Sequence, residues 1–322
     1  MFVVPDIAHQ AARQGPLFVV LNVASGHKDS SAERELLAEV FNASGRPFQF
    51  LQIDNPSSIA SISAQAVALA QEKGGVVVVA GGDGTINAVA AAVLPSQCPF
   101  GVLPQGTFNY FGRAHGIPQD ARAAAKALLG ASISPVSVGE VNGRIFLVNG
   151  SLGLYPQLLE DREVWKQKLG RSRLVAFAAG LATIIQARGQ LTLEIDFEGK
   201  ITTLRTPTLF IGNNPLQLAQ VGIEPVQANK HANGLTAVAV APTGTIAMLG
   251  LLVRGALGRL GEAENITSFS FRTLKVSMPR RRRVKVATDG EVIWMVPPLV
   301  FQVADRPLLL MVPAPADRVE VA

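Results

Sequence analysis

A chain of 322 residues is longer than one usual domain of about 100–200 residues, so two domains are expected. Hydrophobic residues make up 48% and charged residues 16%, which supplies apolar material for two cores and excludes a disordered chain. The net charge is +5, and the mean hydropathy of +0.29 raises the question of a membrane, yet no uncharged apolar run reaches the ~18 residues of a spanning helix.

The nearest such run, Thr243 to Val253, is interrupted by Gly250 and closed by Arg254. Met1 to Gln14 lacks a basic segment followed by an apolar one, so no signal peptide is expected. The chain reads as cytoplasmic, with peripheral contact at the inner face of a membrane left open, as is a homodimer. Cys98 is the only cysteine, which rules out an internal disulfide. Beside Pro99 it suits a small buried hydrophobe. His9, His27, His115 and His231 show no metal-ligand spacing.

Along the chain, Leu17 to Leu21 reads as a strand ending in Asn22-Val23-Ala24-Ser25-Gly26, a glycine and hydroxyl turn able to hold phosphate or ribose. Ser30 with Glu33 makes a capping-box pattern opening a helix from Ala32 to about Asn42. A strand over Phe48 to Ile53 and a helix over Ser58 to Lys73 follow, with Gly74 placed as the C-terminal cap. Val76-Val77-Val78-Val79-Ala80 has the pattern of a strand buried on both faces of a parallel sheet. It runs into Gly81-Gly82-Asp83-Gly84-Thr85-Ile86-Asn87 and then a helical run, Ala88 to Leu94, stopped by Pro95.

That seven-residue turn lies at the carboxyl end of a strand, where open α/β sheets bind ligands. Its glycines let the backbone approach a ligand with no Cβ in the way, and the first-turn amides of the helix favour an anion such as phosphate. Asp83 is then the informative residue. A carboxylate beside phosphate oxygens is repulsive unless a divalent cation lies between them or it takes part in the chemistry. Mg²⁺ with a nucleotide is therefore expected, with Asp83 as the metal residue. No Gly-Lys-Ser/Thr follows, so the turn is not a Walker A loop, and Asn87 stands where a dinucleotide fingerprint has its third glycine.

Phe100 to Leu103 is the next strand, ending in Pro104-Gln105-Gly106-Thr107-Phe108-Asn109-Tyr110-Phe111. Gly106 permits close approach, and Thr107 and Asn109 offer neutral hydrogen bonds, although Gly, Thr and Asn are also ordinary loop residues. The alternation of strands and helices through Leu129 makes this half a parallel α/β domain.

Gly-Gly-Asp-Gly-Thr after a valine strand resembles the diacylglycerol kinase catalytic domain superfamily, which includes bacterial lipid kinases and sphingosine kinases within a wider group of NAD kinases and phosphofructokinases. Asn22 to Gly26 resembles the family's Asn-Pro-x-Ser-Gly, with Val23 in place of proline. Pro104 to Phe111 resembles its Pro-x-Gly-Thr-x-Asn-Asp-Phe, with Tyr110 in place of the aspartate.

From Gly130 and the stretch Ser132 to Pro135 onward, alternating strands dominate. They are expected over Ile133 to Val141, Ile145 to Asn149, Leu191 to Phe197, Ile201 to Gly212, Leu235 to Val240, Phe269 to Met278, Val284 to Thr288 and Val292 to Val303. Glu198-Gly199-Lys200 is a hairpin turn, and helices are expected over Tyr155 to Lys168, Arg173 to Ala187 and Ile246 to Leu260. The fold expected is an α/β nucleotide-binding domain over residues 1–131, a mainly antiparallel β domain carrying helices over 132–312, and a tail over 313–322.

Three places in this second half extend the resemblance. Asn149 to Gly153 resembles the family's segment facing the cleft. Asn233-Gly234-Leu235 resembles its Asp-Gly-Leu turn, which holds a structural Mg²⁺ in related bacterial kinases; Asn233 lacks the charge a hard cation prefers, so an empty turn competes with a metal site. Asp289-Gly290-Glu291 resembles its Asp-Gly-Glu motif, and alone would be a routine hairpin turn.

The resemblance implies an ATP-dependent lipid kinase working in a cleft between the domains. Asn22, Ser25, Gly26, Gly81, Gly82, Asp83, Gly84, Thr85, Asn87, Gly106, Thr107 and Asn109 would bind ATP, and Asp83 its Mg²⁺. Glu291 would be the general base, with Asp83 and Asp289 as further catalytic residues. A carboxylate is a weak base for an alcohol, which a loose transition state tolerates because orientation matters more. The acceptor would be a lipid alcohol such as diacylglycerol. Trp165 to Lys168 and Arg171 to Arg173 suit either an anionic membrane surface or a solvated turn of a helical cover. Arg280 to Arg283 read as a solvated hairpin tip, and nucleic acid is not expected, because they match no recognition motif. A kinase for another acceptor, as in NAD kinases, and an inactive nucleotide-binding protein are the alternatives.

Overall fold

A computed structural model describes residues 3–22, 30–154, 156–157, 159–160, 190–197, 199–213, 218–219, 222, 234–242, 244, 250–251, 254, 259, 263, 265–279 and 281–319. The chain divides into two compact units, Met1–Val138 with Ala304–Ala322, and Gly139–Val303.

In the first unit, α1 (Asp6–Gln14) precedes β1 (Leu17–Asn22), α2 (Ser30–Ser44), β2 (Phe48–Ile53), α3 (Ile59–Lys73), β3 (Val76–Gly81), α4 (Asp83–Ser96), β4 (Phe100–Pro104), α5 (Tyr110–Ala114), α6 (Ala121–Leu129) and β5 (Ser132–Val136). A last strand, Leu308–Val312, returns to this unit. The sheet order is β2-β1-β3-β4, then Leu308–Val312, then β5, and every pair is parallel except the last. Every residue of β3 and β4 is buried, as a strand covered on both faces requires. Gly74 caps α3 in the left-handed region, with φ 58°.

The second unit holds two antiparallel sheets. One orders β10 (Lys200–Thr206), β9 (Leu191–Phe197), β14 (Thr273–Ser277), β17 (Leu299–Val303), β6 (Gly139–Val141) and β7 (Arg144–Phe146). The other orders β13 (Ile266–Phe271), β12 (Leu235–Val240), β11 (Thr208–Gly212), β8 (Asn149–Gly153), β15 (Val284–Thr288) and β16 (Glu291–Met295). Leu193, Val276 and Phe301 from the first sheet share a buried core with Leu152, Ile211 and Val286 from the second.

Several expectations change. The expected boundaries, 131/132 and 312/313, give way to a division after Val138 and a return at Ala304. The apolar run Leu308–Val312 is fully buried beside β4 and β5, so it cannot belong to a strand set in the other unit. Pro95 does not stop α4 but lies in its last turn, and its carbonyl accepts Arg306 Nη1 at 3.1 Å. Pro207 divides the expected strand Ile201 to Gly212 between the two sheets. Arg281 to Arg283 are exposed, but they connect β14 to β15, which lie in different sheets, so they are not a hairpin tip. The helices expected over Tyr155 to Lys168, Arg173 to Ala187 and Ile246 to Leu260 fall mostly outside the described residues.

Candidate functional site

The first unit's sheet reverses its strand order at β1 and β3, because the chain leaves β1 for β2 on one side and crosses to β3 on the other. Diverging connections leave a crevice outside the carboxyl ends of those strands. Asn22 ends β1 and Gly81 ends β3. Asn22 Nδ2 donates to the buried Thr85 hydroxyl at 2.8 Å, which braces the two strand ends against each other.

The glycines answer to space rather than to left-handed backbone, since none of Gly81, Gly82, Gly84 and Gly106 has a positive φ. A Cβ on Gly81 would lie 2.8 Å from the Thr85 Cβ, and one on Gly106 would lie 2.9 Å from the Gly82 Cα. Gly81, Gly82 and Gly106 thus let the helix and two loops close on each other. Gly84 differs: a Cβ there meets nothing within 4 Å. It stands in the first turn of α4, whose amides lack helical partners and favour an anion.

Asp83 opens α4, and its Oδ1 accepts the Phe111 amide at 3.3 Å. Burial raises its pKa above the ordinary carboxylate value, while the amides of Phe111, Tyr110 and Asn109 pull it back down. Its carboxylate therefore ties the glycine turn to the loop after β4. Asn109 builds that loop from inside. In the left-handed region at φ 49°, it accepts the Gly106 amide at 2.8 Å and donates to the Gly106 carbonyl and to Gln119 Oε1. Both donors of its amide are thus engaged within the protein, which builds the loop from inside. Thr107 is exposed and Asn87 half-buried. Ser25, Gly26 and Asn233 lie outside the described residues.

In the second unit, Asp289 and Gly290 both have positive φ, 47° and 87°, and make the two-residue turn joining β15 to β16. The Asp289 carboxylate accepts three backbone amides, from Leu147 at 2.7 Å and from Val148 and Asn149 at 2.9 Å. That cage holds the turn against the strand end at Leu147 to Asn149. Glu291 is exposed and pairs with Arg144 Nη2 at 2.5 Å, while Arg144 Nε donates to the Thr288 hydroxyl at 3.0 Å. Arg144 is absent from the sequence expectations because nothing local in Asn142 to Phe146 distinguishes it. Gln105 Nε2 is another such group, buried without a hydrogen-bond partner beside the glycine turn.

Among the described residues, no group of three or more His, Cys, Asp or Glu side chains is arranged to hold a metal. A cation carried on a triphosphate needs only one or two carboxylates beside phosphate oxygens and water, so Asp83 fits nucleotide-borne Mg²⁺ and not a dedicated metal cage.

Comparison with known proteins bears on this arrangement. Residues 16–141 match the model of the diacylglycerol kinase catalytic domain. A Bacillus subtilis diacylglycerol kinase is 34% identical over 128 residues, covering 39% of this chain and 42% of that protein. A Pseudomonas aeruginosa protein named "Probable lipid kinase YegS-like" is 31% identical over 188 residues, covering 56% of this chain and 60% of its own length. The chain thus spans about half the length of the curated relatives it matches. A crystal structure of a diacylglycerol kinase from Bacillus anthracis shares the fold, with a TM-score of 0.67 at 18% identity over 94% of this chain and 98% of that one.

Proposed function

We propose that this chain, a member of the diacylglycerol kinase catalytic domain superfamily through residues 16–141, transfers the γ-phosphoryl group of ATP to a lipid hydroxyl such as that of diacylglycerol. The observation that carries this is the turn Gly81 to Asn87 at the strand-order switch, with Gly84 facing open space at the start of a helix. Phosphate oxygens would take the first-turn amides of α4, where a side chain at Gly84 would intrude. Asn22 and Thr85 hold the turn against β1.

Asp83 would hold the nucleotide's Mg²⁺, which supplies charge neutralisation to the transferring phosphoryl group. The amides at 109–111 fix the carboxylate for that role. Glu291 would orient the acceptor hydroxyl and take its proton, with Arg144 and Thr288 setting its direction and Asp289 holding the turn beneath it. A loose transition state asks mainly for such orientation.

The test is the purified chain with γ-labelled ATP and a panel of diacylglycerol, ceramide and sphingosine, the products identified by lipid mass spectrometry. Label in a phosphorylated lipid supports the assignment. Bound ATP with no labelled lipid, or label entering NAD instead, contradicts it.

A further inference from the structure

The basic run before β15 converges on an exposed aromatic residue. Trp294 stands on β16, an edge strand, opposite Lys285 in the register of β15. It is 56% exposed, and Val296 just beyond it is 68% exposed. The Arg283 guanidinium lies 4.9 Å from the centre of the Trp294 ring and the Lys285 ammonium 5.3 Å. Arg281 and Arg282 are exposed beside them. Glu160 pairs with Lys285 at 2.6 Å, which leaves the three arginines as the cationic part of the patch.

We propose that Arg281, Arg282, Arg283, Trp294 and Val296 form a docking surface for an anionic lipid bilayer. An indole with an apolar body and one polar N–H suits the boundary between headgroups and acyl chains. Clustered cations add attraction to acidic headgroups. A nucleic acid would instead need the ring free for base stacking, and two cations already lie against it.

Glu291 and Trp294 share β16, three residues apart, which is about 10 Å along a strand. That odd spacing turns the two side chains to opposite faces of the sheet, so a bilayer seated at Trp294 leaves the Glu291 carboxylate on the other face, beside Thr288. The docking does not rest on the role proposed for Glu291.

The experiment uses the full chain with vesicles of phosphatidylcholine, alone or mixed with phosphatidylglycerol. Wild type should sediment with the mixed vesicles and not with the neutral ones. Arg281→Gln with Arg282→Gln should weaken that binding by about 25-fold, at about fivefold per charge. In a Trp165→Phe background Trp294 is the only tryptophan, and its emission should shift to the blue on mixed vesicles. Thermal melts confirm that the variants fold. Equal binding by wild type and the double variant, or an unmoved Trp294 emission, overturns the proposal. So does a change in the mass of the free protein that accounts for the lost sedimentation, since the face would then join two copies. Turnover of a water-soluble short-chain diacylglycerol is read in parallel. Vesicle binding without any lipid phosphorylation supports the docking surface while removing the kinase assignment.

Discussion

Asp83 combines two demands at one residue. It is pulled toward neutrality by burial and toward charge by the amides of Phe111, Tyr110 and Asn109. Its folded pKa lies above the ordinary 3.8, so its contribution to stability is fullest below pH 3.8 and is lost as pH rises through the folded value. Asp83→Asn should therefore melt no lower than wild type at pH 7, keep metal-free ATP binding, and lose transfer. Melting curves and nucleotide titrations with Mg²⁺ and with chelator check this; much weaker metal-free binding would mean that the carboxylate only shapes the turn. Gly84→Ala should leave the melt unchanged or raised, since its Cβ meets nothing and alanine favours helix by about 1 kcal/mol. It should weaken nucleotide binding with or without Mg²⁺, and unaltered affinity would remove the phosphate from that turn. The place of the glycine turn between β3 and α4 was legible, because an apolar strand running into glycines and then a helical run marks a strand-to-helix turn. The partners of Asn109 and Asp289 were not, because Gln119 and Leu147 to Asn149 are brought to them by the fold.

At the scale of elements, strand runs such as Val76 to Ala80 were legible from apolar pattern alone, and so was the Gly74 cap. The breaks were not. Pro207 sends one continuous β pattern into two sheets, and propensity does not say which sheet a strand joins. The helix α1 escaped as well, since its end is held by Arg46, whose Nε and Nη2 donate to the carbonyls of Gly15 and Ala11. His115, after α5, packs edge-on to Phe111 at 4.8 Å. Although part of its surface reaches solvent, burial lowers its pKa from 6.5 to about 4. The unfolded chain then takes up a proton that the folded one refuses, so stability falls as pH drops from 6.5 toward 4. Urea midpoints should fall more steeply over that window in wild type than in His115→Gln, and parallel curves would refute the burial of the neutral ring.

At the scale of the whole molecule, the chain completes its first unit only after the second has been made, because Leu308–Val312 lies between β4 and β5. Removing residues 304–322 should leave β5 without a partner strand and β4 paired with β3 alone, and make the first unit sensitive to protease, while the second keeps its protection. Equal protection of both units would show that the strand is dispensable. The two-unit plan was legible from the change of pattern near Gly130, but a strand inserted from far along the chain has no local signature. The most direct measurement of the proposed chemistry is transfer of γ-label from ATP to diacylglycerol by wild type and by Glu291→Gln, with ATP affinity measured on both. Labelled lipid from wild type, loss of most of that turnover in Glu291→Gln and unchanged ATP affinity is the result expected. Near-wild-type turnover in the variant, or affinity falling together with turnover, would contradict it.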